Sequence, residues 1–209
     1  MLLSFSLMSV RVSCRTMRPK AFDQQQALQA AMLQFWESGY EGSSMQDLVK
    51  RMGISRQSLY DTYGNKRELF IQALRCYRHQ VVEPRLRDLA DPTRDPIKAL
   101  REHLQGIING WNDQIRGCLM VRTTLEMAPD DAAVAKLVAE NTRQLRDALR
   151  AVVERGQASG VIDPSRSAEE LAARLMALSA GLHVCCRLPD PDGASLPSVD
   201  SLIAGLRVH

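Results

Sequence analysis

Aromatic side chains are scarce in this chain, because Phe, Trp and Tyr make up only 5% of its 209 residues. Val and Ile are modest in number, whereas Ala, Leu, Arg, Gln and Glu are abundant, a bias that favours helix over strand. The chain also lacks an alternating strand pattern, a long repeat and a glycine-rich phosphate loop. These absences argue against a sheet or a nucleotide-binding loop and predict an all-α protein.

Cysteine usage excludes a disulfide framework. The five cysteines are odd in number and irregularly spaced, and none belongs to a Cys-x-x-Cys motif or to a Cys/His cluster with zinc spacing. We therefore expect a reducing, cytoplasmic location, no metal site and no cofactor.

Long apolar runs are also missing. The run at residues 1–10 is far too short to span a bilayer, and basic residues follow it, the reverse of the order in a secretory signal. We interpret residues 1–19 as an extension that is either disordered or not native, with translation beginning at Met17 in the second case. No membrane partner is expected.

Charge is distributed unevenly along the chain. Residues 1–80 contain 11 Lys and Arg against 6 Asp and Glu, whereas residues 81–209 contain 16 against 18. A basic N-terminal part beside a neutral to acidic remainder is typical of a polyanion-binding head on a separate body.

Start and stop signals divide the chain into about nine helices. Asp23 caps the first helix, which ends at Gly39, and Ser44 caps the second, which ends at Gly53. The later helices are predicted at residues 55–63, from 65 onward, at 95–111, 117–127, 130–159, 167–188 and 199–208, with a loop over 188–197.

Two short helices near the N-terminus carry the functional signal. A helix of about eight residues ends at Gly53, a turn of about three residues follows, and Ser55 begins the next helix. This is the helix-turn-helix plan, in which the second helix enters the DNA major groove. Its first turn holds Arg56, Gln57 and Ser58, and Arg and Gln side chains can pair with guanine and adenine. We expect Leu59 to face the core.

Residues on both sides of this helix are suited to hold phosphates. Ser43 and Ser44 lie at a helix N-terminus, where free amides and the helix dipole favour an anion. Tyr60 and Tyr63 offer hydroxyls on stiff rings, and Lys66 adds a positive charge at the next helix start. The predicted DNA-binding residues are therefore Ser43, Ser44, Arg56, Gln57, Ser58, Tyr60, Tyr63 and Lys66.

The same region resembles the DNA-binding domain of the TetR family. Residues 39–48 (GYEGSSMQDL) are similar to its opening, residues 52–60 (MGISRQSLY) to its turn and recognition helix, and residues 63–70 (YGNKRELF) to its closing motif. The resemblance covers roughly residues 20–75, about a quarter of the chain, with the spacing intact. Thr62 and Tyr63 stand where the family usually has His-Phe.

The resemblance implies an omega-shaped homodimer that binds double-stranded DNA at a palindromic operator. It implies a helix-turn-helix domain at residues 20–66 and a helical effector-binding and dimerisation domain at 67–209. The dimer interface would use the helices at 167–188 and 199–208. The implied function is a transcriptional repressor, released from DNA by a small-molecule effector, and not an enzyme. An adaptor that keeps the motif without binding DNA is a further alternative.

The segment that begins at Gly117 would line the family's pocket region. Cys118 is open to three interpretations. It is a thiol that senses electrophiles or oxidants, activated by Arg116 and a helix N-terminus, or a small buried hydrophobe, or the nucleophile of a thiol enzyme with His103 as base. The candidate pocket residues, for which plain core packing is the alternative, are His103, Trp111, Cys118, Met120 and Met127, with His183 as a further possibility.

Overall fold

The computed structural model describes residues 22–110, 117–187 and 196–206, and within these ranges it contains helices and no strand. The predicted all-α class is therefore confirmed. The expectations for residues 1–19, Trp111 and Arg116 lie outside the described residues. The helices are α1 (Gln24–Ser38), α2 (Met45–Met52), α3 (Arg56–Tyr63), α4 (Lys66–Tyr77), a π-helical turn (Arg78–Val82), α5 (Glu83–Ala90), α6 (Pro96–Asn109), α7 (Leu119–Glu126), α8 (Ala132–Ala158), α9 (Ala168–Cys185) and α10 (Val199–Ala204).

Local capping explains where the N-terminal helices begin. Ser44 Oγ accepts a hydrogen bond from the Asp47 amide at 3.1 Å, and the Asp47 carboxylate accepts one from the Ser44 amide at 3.1 Å. Asn65 and Glu68 form the same reciprocal box at the start of α4, and Ser55 caps α3. Each cap satisfies amides that the helix leaves unpaired, which typically stabilises a helix by about 1 kcal/mol. The predicted caps are therefore present.

One buried core is shared by the four helices α1, α2, α3 and α4 and extends to α7 and the start of α8. We call residues 22–77, which include these four helices, the head and the described residues from 78 onward the body. Phe35 packs edge-on against Phe70 at 5.0 Å between ring centroids, and Trp36 packs in the same way against Tyr77 at 4.7 Å. Leu59 anchors α3 in this core and is completely buried. The core has no division at the predicted domain boundary after residue 66, because α4, α7 and the first turns of α8 all contribute to it.

A second core fills the remainder of the body. It is formed between α5, α6, the C-terminal half of α8, α9 and α10. The apolar side chains of α10, Val199 and Ile203, are buried in it together with Leu206. The last described helix is therefore part of the body and packs against α6.

Arg122 of α7 joins the body to the end of α1. Its guanidinium donates to the Ser38 carbonyl at 2.6 Å and to the Glu37 carbonyl at 3.1 Å. It also pairs with Glu126, whose carboxylate accepts a hydrogen bond from the Tyr40 amide at 2.9 Å. We call Arg122 and Glu126 the α7 clamp.

Three further features help to join the head to the body. Gly39 has a φ of +79°, and a Cβ there would lie 2.3 Å from Arg122 Nε, so only glycine leaves room for the guanidinium. Trp36 Nε1 donates to the Gly117 carbonyl at 3.2 Å, and Arg67 of α4 forms an ion pair with Asp131, the N-cap of α8. The head is therefore tied to the body by polar contacts as well as by a shared core.

The burial of Leu59 predicts a contrast with its exposed neighbour. Replacing Leu59 by Ala leaves a cavity under α3 and should lower the free energy of unfolding by about 2–5 kcal/mol. Arg56→Ala changes a side chain on the surface and should alter it by less than about 0.5 kcal/mol. Urea denaturation followed by far-UV circular dichroism measures both. Equal effects of the two substitutions would contradict the placement of α3.

Candidate DNA interface and ligand cavity

The first turn of α3 faces solvent. Arg56 and Gln57 are exposed, Ser58 is half-buried, and Tyr60 keeps 41% of its surface exposed one turn further on. Leu59 lies on the opposite side with 0% exposed. The predicted polarity of this helix is confirmed, and its polar edge is free to meet a partner.

Among the described residues, the side chains of Arg56 and Gln57 make only weak contacts, each with another residue of α3. Arg56 Nη2 donates to the Tyr60 hydroxyl at 3.4 Å, and its guanidinium carbon lies 5.7 Å from the ring centroid. Gln57 Nε2 donates to Asp61 Oδ1 at 2.8 Å. Exposed pairs four residues apart on a helix contribute only about 0.2–0.5 kcal/mol each, so base edges or phosphates can replace them at small cost.

Ser44 and Lys66 mark the two helix starts that flank α3. Ser44 is exposed, and its hydroxyl takes part in the capping box of α2. Lys66 is the first residue of α4, and its ammonium lies 4.3 Å from the centroid of the Tyr40 ring. A positive charge at the start of α4 and the exposed, capped N-terminus of α2 thus stand on either side of α3.

Two of the predicted phosphate contacts point inward instead. Ser43 is 0% exposed, and its hydroxyl donates to the Gly39 carbonyl at 2.7 Å. Tyr63 is buried, its hydroxyl donates to the Gln24 carbonyl at 2.6 Å, and burial raises its pKa. Both hydroxyls fix the end or the start of α1, which corrects the expectation that they are available to DNA.

The body contains two adjoining cavities. The outer cavity, of about 460 Å³, lies between α7, α8 and α9 and is mostly apolar. The inner cavity, of about 70 Å³, lies between the π-helical turn, α5, α6 and α8. Both are bordered by Cys118, Asn141, Leu145 and His183, which we call the neck. The outer volume falls in the range of small-molecule sites.

The predicted pocket residues are divided between the two cavities and the core of the head. Cys118 and Met120 line the outer cavity, and His103 lines the inner one. Met127 is instead buried in the core shared with the head, because it follows α7 on the side that faces α1. Asn141 and Arg85 also line the inner cavity, although no local motif in the sequence marks either of them.

Two half-buried histidines lie beside the cavities, and the pKa of each is lowered. Burial lowers the pKa of His103 to about 4, and burial together with His103 and Arg85 lowers the pKa of His183 to about 4. His103 Nε2 lies 3.1 Å from Ser179 Oγ. The Tyr77 hydroxyl donates to Cys118 Sγ at 3.4 Å. Cys118 and His103 are therefore engaged with different partners rather than arranged as a nucleophile and its base.

Two further findings concern the described ranges. No group of three or more His, Cys, Asp or Glu side chains there is placed to hold a metal ion. No helix in those ranges is both long enough and apolar enough to cross a membrane.

These features define a helix-turn-helix DNA-binding protein with a ligand-sized cavity in its helical body. Residues 27–73 match the family model of bacterial regulatory proteins of the tetR family, and residues 96–195 match that of the tetracyclin repressor-like C-terminal domain. The chain belongs to the TetR family of transcriptional regulators, as its sequence predicted. Members of this family bind DNA as dimers.

Similar proteins are found among curated regulators and solved structures. The HTH-type transcriptional repressor ComR of Escherichia coli (strain K12) is 30% identical over 181 residues, 86% of this chain and 84% of that protein. The HTH-type regulator YezE of Bacillus subtilis (strain 168) is 37% identical over 136 residues, 63% of this chain and 68% of that protein. A cysteine mutant of the TetR family regulator CifR, complexed with 26-bp operator DNA, is 31% identical with a TM-score of 0.75, over 90% of this chain and 99% of that chain.

Proposed function

We propose that the protein is a cytoplasmic, homodimeric repressor that leaves a palindromic operator when an effector occupies the cavities of the body. The observation that carries this proposal is the exposed polar edge of α3, with Leu59 anchoring its other side. Arg56 and Gln57 would contact bases, and Ser58 and Tyr60 would contact bases or backbone. Ser44 and Lys66 would hold phosphates. The mutant CifR bound to operator DNA supports this placement by analogy.

The outer face of α9 supports dimerisation. Small residues recur there with helical spacing at Ala173, Ala177, Ala180 and Gly181, all exposed, and Val184 is 48% exposed. Small side chains permit close approach of two helices, so this strip suits a second copy of α9. Because Ala177, Ala180, Gly181 and Val184 also line the outer cavity, the partner copy would close the open side of that cavity and form part of its wall. The outward side of α10 would extend this interface.

The α7 clamp supports a route from ligand to DNA. One side of α7 lines the outer cavity with Met120, Val121 and Thr124, and its clamp residues hold the end of α1. A ligand that displaces α7 would therefore move the head of each protomer and change the spacing of the recognition helices. Turning an almost fully bound population into an almost fully free one requires roughly 5.5 kcal/mol of differential affinity.

The DNA contact is tested by electrophoretic mobility shift with DNA from upstream of the protein's own gene and neighbouring genes. Arg56→Ala and Gln57→Ala should each weaken specific binding by about 1–3 kcal/mol, that is roughly 5- to 150-fold, because each loses a bidentate base contact. Arg75→Ala removes an exposed charge on α4 and serves as the matched control. If the wild type binds none of these DNAs at moderate salt, the proposed function is wrong.

The dimer interface is tested by sedimentation of the DNA-free protein. Ala177→Glu places like charges opposite one another across the paired α9 helices and should shift the protein from dimer to monomer. Ala139→Glu adds the same charge to the exposed face of α8 and should leave the dimer intact. A dimer that persists in Ala177→Glu would exclude the α9 interface.

A thiol sensor is a second candidate function, because Cys118 lies at the neck and its sulfur accepts a hydrogen bond from the Tyr77 hydroxyl. In this alternative an electrophile modifies Cys118 and displaces α7, whose first residue follows it. N-ethylmaleimide should then release the wild type from DNA but not Cys118→Ser. The matched control is Cys76→Ser, which removes a half-buried thiol on α4, and its release should resemble that of the wild type. Release of Cys118→Ser at the wild-type rate would eliminate this alternative.

A further inference from the structure

The two cavities contain one charged side chain and no carboxylate among the described residues. The outer cavity is lined by apolar, hydroxyl, amide and neutral imidazole groups. Arg85 of α5 borders the inner cavity, and its charge acts on His103, His183 and Tyr77 around it. The electrostatic potential at the inner end is therefore positive.

Arg85 has no counter-ion within the described ranges. Its neighbour Arg78 pairs with Glu83 and Glu140, whereas the guanidinium of Arg85 makes no hydrogen bond or ion pair there. On its other side Arg85 borders a surface cleft that also holds Asp88 and Glu102; Glu102 pairs with Arg94, and neither carboxylate forms an ion pair with Arg85. A half-buried guanidinium without a protein partner keeps its hydrogen-bond donors available to a ligand.

The neck also offers polar atoms without partners. Asn141 Oδ1 and His183 Nδ1 are buried, and neither has a hydrogen-bond partner in the protein. Because buried polar atoms are nearly always hydrogen-bonded, these two atoms point to a polar ligand group beside the neck. An amide oxygen only accepts hydrogen bonds, so Asn141 would meet an anion with its NH2 group after its side-chain amide turns over, and the neutral His183 ring can donate one hydrogen bond to the same anion.

We infer that the cavities bind a small monocarboxylic acid, with its apolar body in the outer cavity and its carboxylate paired to Arg85. This inference rests on the proposed function, since it names the chemical class of the effector for the same site. A cation is excluded by repulsion from Arg85 and by the lack of an acidic residue on the walls. An uncharged ligand would displace water from the guanidinium without replacing its hydrogen bonds, which costs affinity. A carboxylate supplies the geometry that a guanidinium pairs with in bidentate fashion.

The test compares octanoate with octanamide, which has nearly the same shape and no charge. Isothermal titration calorimetry on the DNA-free full chain at pH 7 should give at least roughly tenfold tighter binding of octanoate, as expected for a charge-assisted pair that is shielded from water. Arg85→Gln should reduce this preference to less than about threefold, and Arg85→Lys should retain part of it. Arg87→Gln removes an exposed charge two residues further along α5 and should leave the preference unchanged.

The wild-type comparison is decisive even if a variant fails to fold, as judged by circular dichroism. Equal affinity for octanoate and octanamide, no binding of either, or a preference that survives in folded Arg85→Gln would overturn the inference. The mobility-shift assay is run separately. If the protein binds operator DNA but shows no preference for octanoate, the carboxylate inference is wrong and the repressor proposal is unaffected. If it prefers octanoate but binds no DNA, the repressor proposal is wrong and the carboxylate site is unaffected.

Discussion

The last carbonyl groups of α1 find no partners within their own helix, and Arg122 supplies those partners from α7. A helix end needs such groups satisfied, so the stability of the head depends on a side chain of the body. Glu126 keeps the guanidinium in place and holds the Tyr40 amide at the same time. Because Gly39 alone leaves space for this approach, the turn after α1, the head and the body are specified together.

Local sequence signals were sufficient for the helices and for the exposed edge of α3. Caps such as Ser44 and Asn65 act over three residues, and the alternation of Arg56 and Gln57 with Leu59 follows the helical period. The structures that these local signals specify do not depend on distant parts of the chain. The all-α fold and the orientation of the recognition helix could therefore be predicted without coordinates.

The direction of single side chains at helix junctions could not be predicted in this way. Ser43 and Tyr63 look like surface hydroxyls in the sequence, but α1 lies close enough to accept both of their hydrogen bonds. The Arg122 contact to Glu37 spans 85 residues, and Asn141 and Arg85 line the same cavity only because α8 packs against α5. No local pattern encodes such distances. Which side chains line the cavities depends on how the helices pack, whereas the amino-acid composition gives only the number of polar residues in the chain.

The π-helical turn between α4 and α5 has a consequence for how such a body can diverge. A π-helical turn accommodates one more residue than an α-helical turn, and one residue corresponds to a rotation of about 100° about the helix axis. Because the wider turn absorbs that extra residue, the helices on either side keep their facing, and Arg85 borders the inner chamber all the same. Losing one residue from the turn would therefore give a regular helix and leave the cationic wall in place. A codon can be lost at this point without any change in the chemistry that the body accepts.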